Sequence, residues 1–553
     1  YRFPTSSLSS PLIDNKYYTI FIVKCEQIFS YLLINIITFY HIFESLFFLS
    51  FFISFCALQE TCPCLIIRKN IVFCRKKRRK TPTNYYRKDI TIMYQIDFHH
   101  PIHIHFMGIG GISMSGLAEI LIKEGFTVSG SDIHRSPITD HLEEKGAKIF
   151  YQQTADNITS DIDLVVYTAA ISFDTNEEYK EAVKKGIPVM SRAALLGQLM
   201  HNYKNAIAVS GTHGKTTTTS MLSQILLEAD TDPTISVGGI LESIGGNIRV
   251  GHSDTFITEA CEYTNSFLEF FPKISIILNI EEDHMDFFKD IDDIRKSFRA
   301  FAHKLPDYGY LVINGEIDNI SYITDGLEAD YVTFGVDRSR FNFAADNITH
   351  DAFGHDSFDY YKNGVYQDRI QLNVTGDHNV NNALAAIAVA DRLNLPMEAV
   401  KKGLLSFSGA KRRFEYKGKV HGFTIIDDYA HHPTEIRATL EACKNYPHEE
   451  LWCIFQPHTY TRTKAFLDDF AKALSLSDHV IITDIYAARE KDTGLVHARD
   501  IVDKMSAYDV DVHYISSFED IEKFILKNCK ENDLLITMGA GNVDSIGNSL
   551  LKK

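Results

Sequence analysis

Asn205-Ala-Ile-Ala-Val-Ser-Gly-Thr-His-Gly-Lys-Thr-Thr-Thr-Thr219 is the stretch of this 553-residue chain that decides its fold. An apolar segment leads into a turn with two glycines, then a lysine and a run of threonines, and apolar residues recur at helical spacing from Met221 to Leu226. A strand, a glycine turn and a helix in this order present backbone N–H groups to an anion. The stretch therefore predicts a phosphate-binding loop in an α/β domain.

The residue types in this loop suit a nucleoside triphosphate. Gly211 and Gly214 allow backbone N–H groups to face phosphate. Lys215 supplies a positive charge, and Thr216 offers a hydroxyl to Mg²⁺. The other loop residues in the predicted site are Thr212, His213 and Thr217. Val209 stands where the general phosphate-binding-loop motif has its first glycine. This departure limits the chain to those families of nucleotide-binding proteins whose loop lacks that glycine. The alternative is a glycine turn that precedes an ordinary helix and binds no ligand. We favour the first interpretation, in which the loop binds ATP or GTP.

Length and composition limit the class of protein. A chain of 553 residues is long enough for three or four domains. Its net charge of −16 argues against a general nucleic-acid-binding protein, which usually carries a basic face. The cysteines after residue 92 form neither a disulfide framework nor a zinc-binding spacing. We therefore expect a reduced, cytoplasmic protein that binds no nucleic acid.

Residues 1–92 differ in composition from the rest of the chain. They are dense in Phe, Ile, Leu and Tyr, have no methionine before Met93, and carry 13 basic and 5 acidic residues, a net of +8 against −24 for residues 93–553. One interpretation is a membrane anchor, with residues 28–58 spanning and the basic run 75–80 on the cytoplasmic side. The other, which we favour, is a non-native extension upstream of a start at Met93. Either way, we expect residues 93–553 to make no membrane contact.

A second strand, glycine turn and helix pattern lies earlier in the chain, at Gly108-Ile-Gly-Gly-Ile-Ser-Met-Ser-Gly116. Gly110 and Gly111 are candidates to face a nucleotide, and Asp132 stands near the position of a ribose-binding acid. Ser113 occupies the place of the third glycine of a dinucleotide fingerprint. The pattern therefore predicts a Rossmann-like domain without selecting its ligand.

Two strands of the middle unit end in polar groups. One ends at Glu259, and the strand predicted over residues 274–280 is followed by Glu281-Glu-Asp-His284. Ligands gather at the carboxyl ends of parallel strands, so Glu259 and His284 are candidates to meet phosphate and Mg²⁺. A solvated strand end and a satisfied turn histidine are the structural alternatives. We expect Cys261 to be a small buried residue without a catalytic role.

From residue 101 to its end the chain alternates strand and helix patterns, which predicts parallel sheets with crossover helices. The predicted fold is α/β with three domains: a Rossmann-like N-terminal domain, a central P-loop domain and a C-terminal Rossmann-like domain. The predicted segments are residues 1–92 for the extension, 93–203 and 204–407 for the first two domains, and 408–553 for the third.

Several short motifs occur in one order along residues 93–553, in addition to the two glycine-rich turns. They are Glu259-Ala-Cys-Glu262, Asp283-His284, His378-Asn-Val-Asn-Asn382, Asp427-Asp-Tyr-Ala-His-His-Pro-Thr-Glu435 and Phe455-Gln-Pro-His458. Together these motifs resemble the Mur ligase family. Within it, they are most similar to those of the member that joins L-alanine to UDP-N-acetylmuramate.

The resemblance implies a domain organisation and a reaction. The N-terminal domain would bind UDP, the central domain would be the ATPase, and the C-terminal domain would close over the site. The reaction would be an ATP-dependent ligation through an acyl phosphate, in cytoplasmic peptidoglycan precursor synthesis. Its partners would be UDP-N-acetylmuramate, L-alanine and ATP, with Mg²⁺ as the metal, and a monomer and a homodimer are both left open.

The resemblance also implies roles for individual residues around ATP. Thr216 and Glu259 would hold one Mg²⁺, and His284 would help to hold a second. The residues implied to contact adenine are His378, Asn379 and Asn382. Asp427 would meet the ATP ribose, and Arg413 would reach the γ-phosphate from the closing domain.

The remaining implied roles concern the other substrates and the chemistry. Tyr429, His431 and Arg462 would line the alanine and acyl end. Gly110, Gly111 and Asp132 would face UDP. The residues that would take a direct part in the chemistry are Lys215, Glu259, His284, Arg413 and His431.

Two departures from the family pattern affect these expectations. Thr459 stands where relatives often carry arginine, so one of two cations at the acyl end is expected to be missing. The carbamylated lysine of several sister ligases has no clear counterpart, and we do not predict that modification. The structural alternatives are a helix-start pair at His431-His432 and a solvated linker charge at Arg412-Arg413.

Three other functions stay open at the level of sequence. The first is the recycling ligase of the same family, which attaches a whole tripeptide to the same UDP-sugar and has very similar motifs. The second is a regulatory GTPase, although the chain has no Asn-Lys-x-Asp guanine motif. The third is a nicotinamide oxidoreductase, against which Ser113 and an otherwise unexplained Lys215 both argue.

Overall fold

The computed structural model describes residues 94–168, 171–285, 287–351, 353–488 and 490–553. The expectations for residues 1–92 fall outside the described residues. The part of the chain from Ile92 to Lys553 forms one compact unit. None of the helices in the described ranges combines the length and apolar character that crossing a bilayer requires.

The first sheet is fully parallel and has the strand order β3-β2-β1-β4-β5. Its strands are β1 (His103–Met107), β2 (Thr127–Ser131), β3 (Lys148–Phe150), β4 (Leu164–Tyr167) and β5 (Val189–Ser191). Its helices are α1 (Ile112–Lys123), α2 (Pro137–Glu144), α3 (Glu177–Lys185) and α4 (Arg192–Met200). Crossover connections of this kind bring the carboxyl ends of all five strands to one edge, where ligands bind in open α/β sheets.

The central sheet has ten strands in the order β15-β14-β13-β12-β11-β10-β6-β9-β7-β8. They are β6 (Asn205–Ser210), β7 (Thr234–Leu241), β8 (Gly246–Arg249), β9 (Thr255–Glu259), β10 (Ile274–Ile277), β11 (Tyr310–Asn314), β12 (Asp330–Gly335), β13 (Phe343–His350), β14 (His355–Lys362) and β15 (Val365–Thr375). The helices are α5 (Lys215–Glu228), α6 (Ile291–Ala302), α7 (Ile320–Thr324), α8 (His378–Arg392) and α9 (Met397–Ser406).

Part of this sheet is antiparallel, which the alternating sequence pattern did not predict. β13, β14 and β15 pair antiparallel, and so do β7 and β8. The turn between β14 and β15 is Asn363-Gly364, with both residues at positive φ and with Lys362 paired to Val365. A two-residue Asn-Gly turn is a strong signal for a hairpin. The strand and helix alternation is therefore interrupted over residues 330–375.

The helices beside the phosphate-binding loop pack closely. α9 approaches the loop's own helix α5 so nearly that a Cβ added at Gly403 would lie 2.6 Å from the Cα of Ile225. α8 also packs against α5 and contains several buried alanines. Small residues permit this approach, so the helix that follows the loop has a fixed position.

The third sheet has the order β16-β17-β21-β18-β19-β20, in which only the edge strand β16 is antiparallel. Its strands are β16 (Glu415–Val420), β17 (Phe423–Asp428), β18 (Leu451–Phe455), β19 (His479–Ile482), β20 (Asp511–Tyr514) and β21 (Leu534–Met538). The helices are α10 (Pro433–Cys443), α11 (Tyr460–Ala465), α12 (Leu467–Leu474), α13 (Ala498–Met505), α14 (Phe518–Asn528) and α15 (Asp544–Leu550). The fold class predicted from sequence is confirmed, with the antiparallel strands as an addition.

Candidate active site

The loop between β6 and α5 has the conformation of a phosphate cradle. Gly211 has φ +144° and Gly214 has φ +82°, values that side-chain-bearing residues rarely adopt. A Cβ at Gly214 would lie 2.6 Å from the Asn382 side-chain oxygen. α5 begins at Lys215 with neither a side-chain cap nor an acidic residue in its first turn. Its first N–H groups are therefore left for an anion.

Lys215 is held by a buried carboxylate. Its Nζ lies 3.0 Å from Oε2 of Glu262, which is 2 % exposed, and donates to the carbonyl oxygen of Thr212 at 3.0 Å. Burial by itself would lower the pKa of Lys215, but the Glu262 carboxylate outweighs it and raises that pKa above its usual value. The lysine is therefore fully charged beside the phosphate cradle.

Thr216 and Glu259 converge at the carboxyl end of β9. The Thr216 hydroxyl lies 3.1 Å from Oε2 of Glu259, whose Oε1 accepts the backbone N–H of Gly238 at 2.5 Å. Burial raises the pKa of Glu259 in spite of these hydrogen bonds and of nearby Lys215. A hydroxyl and a carboxylate with adjacent oxygens form a hard donor set that fits Mg²⁺, which would also stabilise the ionised carboxylate.

His284 lies on the Glu262 side of the cradle. Its Nε2 is 3.7 Å from Oε1 of Glu262 and 3.7 Å from Oδ2 of Asp283, and its ring centroid lies 4.6 Å from that of Tyr263. The backbone at His284 has φ +54°, so the turn after β10 aims this side chain by adopting a left-handed conformation. His284 and Lys215 therefore both lie beside the carboxylate of Glu262.

Cys261 lies just after β9, next to Glu262, and is exposed, not buried as predicted. Surrounding protein atoms and the Glu262 carboxylate raise the pKa of its thiol to about 11. A thiol with such a pKa is protonated near neutral pH and is a poor nucleophile. The prediction that Cys261 has no catalytic role is consistent with this environment.

The phosphate-binding loop also contacts the C-terminal domain. Nδ1 of His213 lies 3.1 Å from Oε1 of Glu435 in α10, and its Nε2 lies 3.5 Å from Oε2 of Glu281. Burial by itself would lower the pKa of His213, but the two carboxylates raise it to about 9. His213 is therefore an imidazolium at neutral pH, shared between the two domains.

Glu435 also contacts the side chains of two predicted site residues of the C-terminal domain. Nη1 of Arg413 lies 3.7 Å from its Oε1, and Nδ1 of His431 lies 3.3 Å from its Oε2. Burial would raise the pKa of Glu435, but His431, His213 and Arg413 hold it well below its usual value. Burial lowers the pKa of His431 to about 4, so its ring is neutral at physiological pH.

Arg462 joins the C-terminal domain to the turn that carries His284. Its Nη2 and Nε lie 2.7 and 3.1 Å from Oδ1 of Asp283, and both side chains are more than nine-tenths buried. Its Nη1 lies 3.2 Å from Nδ1 of His458. Thr459, at the position where relatives often carry arginine, has φ +67° and caps α11 by accepting the Arg462 N–H. The threonine therefore supports Arg462 and adds no charge.

A cavity of about 350 Å³ lies between the central and C-terminal domains beside the phosphate-binding loop. The predicted site residues that line it are His213, Gly214, Thr217, His378, Asn379, Asn382 and Arg413. Burial lowers the pKa of His378 to about 4, which leaves a neutral ring at the cavity. The Asn382 amide bonds Asn379 at 3.0 Å and accepts the Thr218 hydroxyl at 3.1 Å, which ties α8 to the loop helix.

The cavity wall favours a different residue from the predicted ribose contact, because Asp428 lines it and Asp427 does not. Successive residues of a strand point to opposite faces of the sheet. Ile426 and Asp428 of β17 face the cavity, whereas Asp427 accepts hydrogen bonds from Arg412 at 2.9 Å and Thr537 at 2.5 Å. The candidate contact to a ribose therefore moves from Asp427 to Asp428.

The glycine turn after β1 forms a separate polar site in the first domain. The N–H of Gly110 donates to Oδ2 of Asp132 at 2.9 Å, and Asp132 Oδ1 accepts the next backbone N–H at 2.8 Å. Gly111 caps α1, whose first turn has no acidic residue. The predicted trio of Gly110, Gly111 and Asp132 is therefore assembled at the carboxyl edge of the first sheet, beside an unneutralised helix start.

Sequence reasoning assigned no role to four carboxylates that organise the site: Glu262, Glu281, Asp283 and Glu435. Each lies within or directly beside a quoted motif, so their positions could have been noted. Glu435 also follows His432 by three residues, which is the spacing of a capping box. Their pairings depend on contacts between loops far apart in sequence, which motif spacing does not indicate.

Similar proteins agree with this organisation. Three domain descriptions of one family match the chain: Mur ligase family, catalytic domain, at residues 103–204; Mur ligase middle domain at 209–390; and Mur ligase, glutamate ligase domain, at 412–541. The UDP-N-acetylmuramate–L-alanine ligase of Lachnoclostridium phytofermentans is 57 % identical over 470 residues, which cover 83 % of this chain and 100 % of the relative.

Two solved structures are also similar. The UDP-N-acetylmuramate–alanine ligase of Thermotoga maritima has a TM-score of 0.67 at 31 % identity, covering 82 % of this chain and 98 % of its own. The murein peptide ligase of Psychrobacter arcticus has a TM-score of 0.60 at 27 % identity, with the same coverage of both chains.

A phosphate cradle in the central domain, faced by cations of the C-terminal domain, defines a multidomain α/β enzyme that uses a nucleoside triphosphate. Together with the matches over all three domains, this places the chain in a particular family. The chain belongs to the Mur ligase family, whose members are ATP-dependent ligases that form C–N bonds.

Proposed function

We propose that this enzyme joins L-alanine to the carboxylate of UDP-N-acetylmuramate, using ATP and passing through an acyl phosphate. The observation that carries the proposal is a continuous line of polar contacts across the cleft. Lys215 contacts Glu262, Glu262 contacts His284, and Asp283 beside it contacts Arg462. These contacts support a phosphoryl-transfer site at Lys215 with Arg462 nearby as a cation for an amino-acid carboxylate. The relatives named for this reaction support the choice of substrates.

The first step would activate the sugar carboxylate. A carboxylate is a poor electrophile, and phosphorylation converts one of its oxygens into a leaving group. Transfer of a γ-phosphoryl group needs alignment and charge neutralisation more than covalent help from the protein. Lys215 and the N–H groups at the start of α5 would neutralise the phosphates, and Arg413 would reach them from the C-terminal domain. Thr216 and Glu259 would hold Mg²⁺, which supplies further neutralisation when bound, and His284 would help with a second ion.

The second step would be attack by the alanine amine, as a free base, on the acyl carbon, after which the tetrahedral intermediate would expel inorganic phosphate and leave the amide. Arg462 would bind the alanine carboxylate, with Tyr429 beside it. His431 is neutral, and its Nδ1 lies 3.0 Å from the carbonyl oxygen of Tyr429, an arrangement in which Nδ1 donates and Nε2 keeps a lone pair. That nitrogen would take the proton that the amine loses. Closure of the C-terminal domain would exclude water from the acyl phosphate.

The other roles follow the polar groups already described. His378, Asn379 and Asn382 would hold adenine, with Asp428 in place of Asp427 at the ribose. Gly110, Gly111 and Asp132 would bind UDP. We keep domain boundaries near residues 203 and 407, and we place the reaction in the cytoplasm, where ATP is available.

The test is phosphate release from ATP with defined substrate pairs. We expect turnover with UDP-N-acetylmuramate and L-alanine and little with UDP-N-acetylmuramate and the tripeptide. Activity with UDP-N-acetylmuramate and the tripeptide, but not with UDP-N-acetylmuramate and L-alanine, would instead identify the recycling ligase. Label from an ¹⁸O-carboxylate should appear in the released phosphate, and its absence would contradict the acyl phosphate.

A further inference from the structure

Glu435 is the point where the phosphate-binding loop and the C-terminal domain meet. Its Oε1 lies 3.1 Å from Nδ1 of His213 and 3.7 Å from Nη1 of Arg413. Its Oε2 accepts the backbone N–H groups of His431 at 3.0 Å and His432 at 3.3 Å. One oxygen therefore faces the other domain, while the second completes the capping box of α10.

His213 is placed to be a rigid, charged partner for this carboxylate. It lies between the two loop glycines, and its backbone N–H donates to the Asn279 side chain at 2.7 Å. Its ring is buried between Glu281 of its own domain and Glu435 of the other. A buried ion pair of this kind is sensitive to the loss of either partner, because the remaining charge is left uncompensated.

Two side chains proposed for catalysis contact the carboxylate of Glu435. Arg413, proposed to reach the γ-phosphate, is linked to Oε1, and the ring of His431, proposed to accept the amine proton, contacts Oε2 at 3.3 Å. A movement of the phosphate-binding loop relative to α10 would change both distances through Glu435. The position of these two groups is thus coupled to His213.

We propose that Glu435 is a positioning residue, and that its contact with His213 is an interdomain clasp that sets Arg413 and His431 against the phosphate-binding loop. This inference rests on the proposed ligase reaction, since the clasp acts on groups of that reaction. His213 and Glu435 contact each other across the junction of the central and C-terminal domains. Formation of this contact therefore also sets the positions of Arg413 and His431.

The test is a double-mutant cycle with His213→Gln, Glu435→Gln and the pair. Glutamine at 435 keeps an oxygen for the capping box but removes the charge, and Glu441→Gln on the same helix is the exposed control. We expect each clasp variant to lose about tenfold or more in kcat, with the KM for the UDP-sugar within about twofold of wild type. The double variant should be no slower than the slower single variant. Additive losses, or wild-type rates in both single variants, would overturn the clasp.

Two further measurements distinguish loss of the clasp from loss of folding and from an incorrect choice of substrate. His213→Asn leaves the helix cap intact, so a kcat loss at an unchanged Tm supports the clasp even if Glu435→Gln proves unstable, and an unchanged kcat contradicts it. The cycle uses whichever substrate pair the wild-type enzyme turns over. If that pair contains the tripeptide, the proposal that L-alanine is the substrate is wrong, but the double-mutant cycle still tests the clasp.

Discussion

Asp427 and Asp428 are neighbours in β17 with different surroundings. Both are buried, but Asp427 is held by Arg412 and Thr537, whereas Asp428 lines the cavity and accepts the backbone N–H groups of Phe414 and Ala430. Burial raises the pKa of Asp428 to about 6. The two carboxylates therefore lie in separate environments, one tied into the sheet by Arg412 and Thr537 and one at the wall of the cavity proposed to bind ATP.

Substituting each of these two residues tests that separation. Asp428→Asn should raise the KM for ATP several-fold with little change in stability. Asp427→Asn should instead lower the free energy of unfolding by about 1–3 kcal/mol, because the partly buried Arg412 loses its charged partner. Steady-state kinetics and chemical denaturation of both variants measure these effects. The reverse pattern would restore Asp427 as the ribose contact.

Lys215 provides a prediction about chemistry. Lys215→Ala should lower kcat by about three orders of magnitude or more, because it removes the charge that neutralises the transferred phosphoryl group. Binding of UDP-N-acetylmuramate should stay close to that of wild type, since the proposed UDP site lies in another domain. Turnover and equilibrium binding of the UDP-sugar are the measurements. An equal loss of sugar affinity would contradict the domain assignment.

The sequence predicted which residue types the site contains better than how they pair. The loop residues from Gly211 to Thr217 could be located because their chemistry depends on local spacing, whereas the residues predicted to face adenine came from the family resemblance. Asp427 and Asp428 could not be separated, since the face of a strand is fixed by the sheet around it. The Lys215–Glu262 and His213–Glu435 pairs join residues 47 and 222 positions apart, which no local pattern specifies.

At the level of elements, the regular α/β alternation was predictable and its interruption was missed. Buried apolar strands followed by helical patterns are strong signals, and they located all three sheets. The strands β13 to β15 are half exposed and were interpreted as continuing the alternation. The Asn363-Gly364 turn was the local signal that could have corrected this interpretation.

The contact between α9 and α5 gives an element-scale prediction. Gly403→Ala places a Cβ 2.6 Å from the Ile225 backbone, so α9 must move away from the helix that follows the phosphate-binding loop. We expect a loss of about 1–3 kcal/mol in the free energy of unfolding and a higher KM for ATP. Gly246→Ala, where an added Cβ meets nothing within 4 Å, is the control. An unchanged stability at position 403 would contradict this packing.

At the scale of the whole molecule, two buried ion pairs join the central and C-terminal domains: His213 with Glu435, and Asp283 with Arg462. The raised pKa of His213, about 9, makes the first pair depend on pH. The charged and titratable groups around His213 are Glu281, Glu435, His432, Arg413 and His378.

The direction of this pH dependence follows from linkage. A histidine whose pKa is raised on folding contributes stability that is fully present below its unfolded pKa, about 6.5, and that is lost as the pH rises through about 9. The free energy of unfolding of wild type should therefore fall relative to that of His213→Gln between these pH values. Denaturation at intervals across this range measures the difference. A difference that is constant with pH would show that His213 is not charged in the folded protein.

The pairing of Arg462 with Asp283 and of Arg413 with Glu435 has a consequence for ligand recognition. Both guanidinium groups are already neutralised by the protein's own carboxylates before any substrate arrives. In the proposed reaction, a phosphate or amino acid that binds these arginines would replace an internal carboxylate, so its net affinity would reflect the difference between the two partners. Such an exchange would favour multiply charged ligands of matching shape over small inorganic anions.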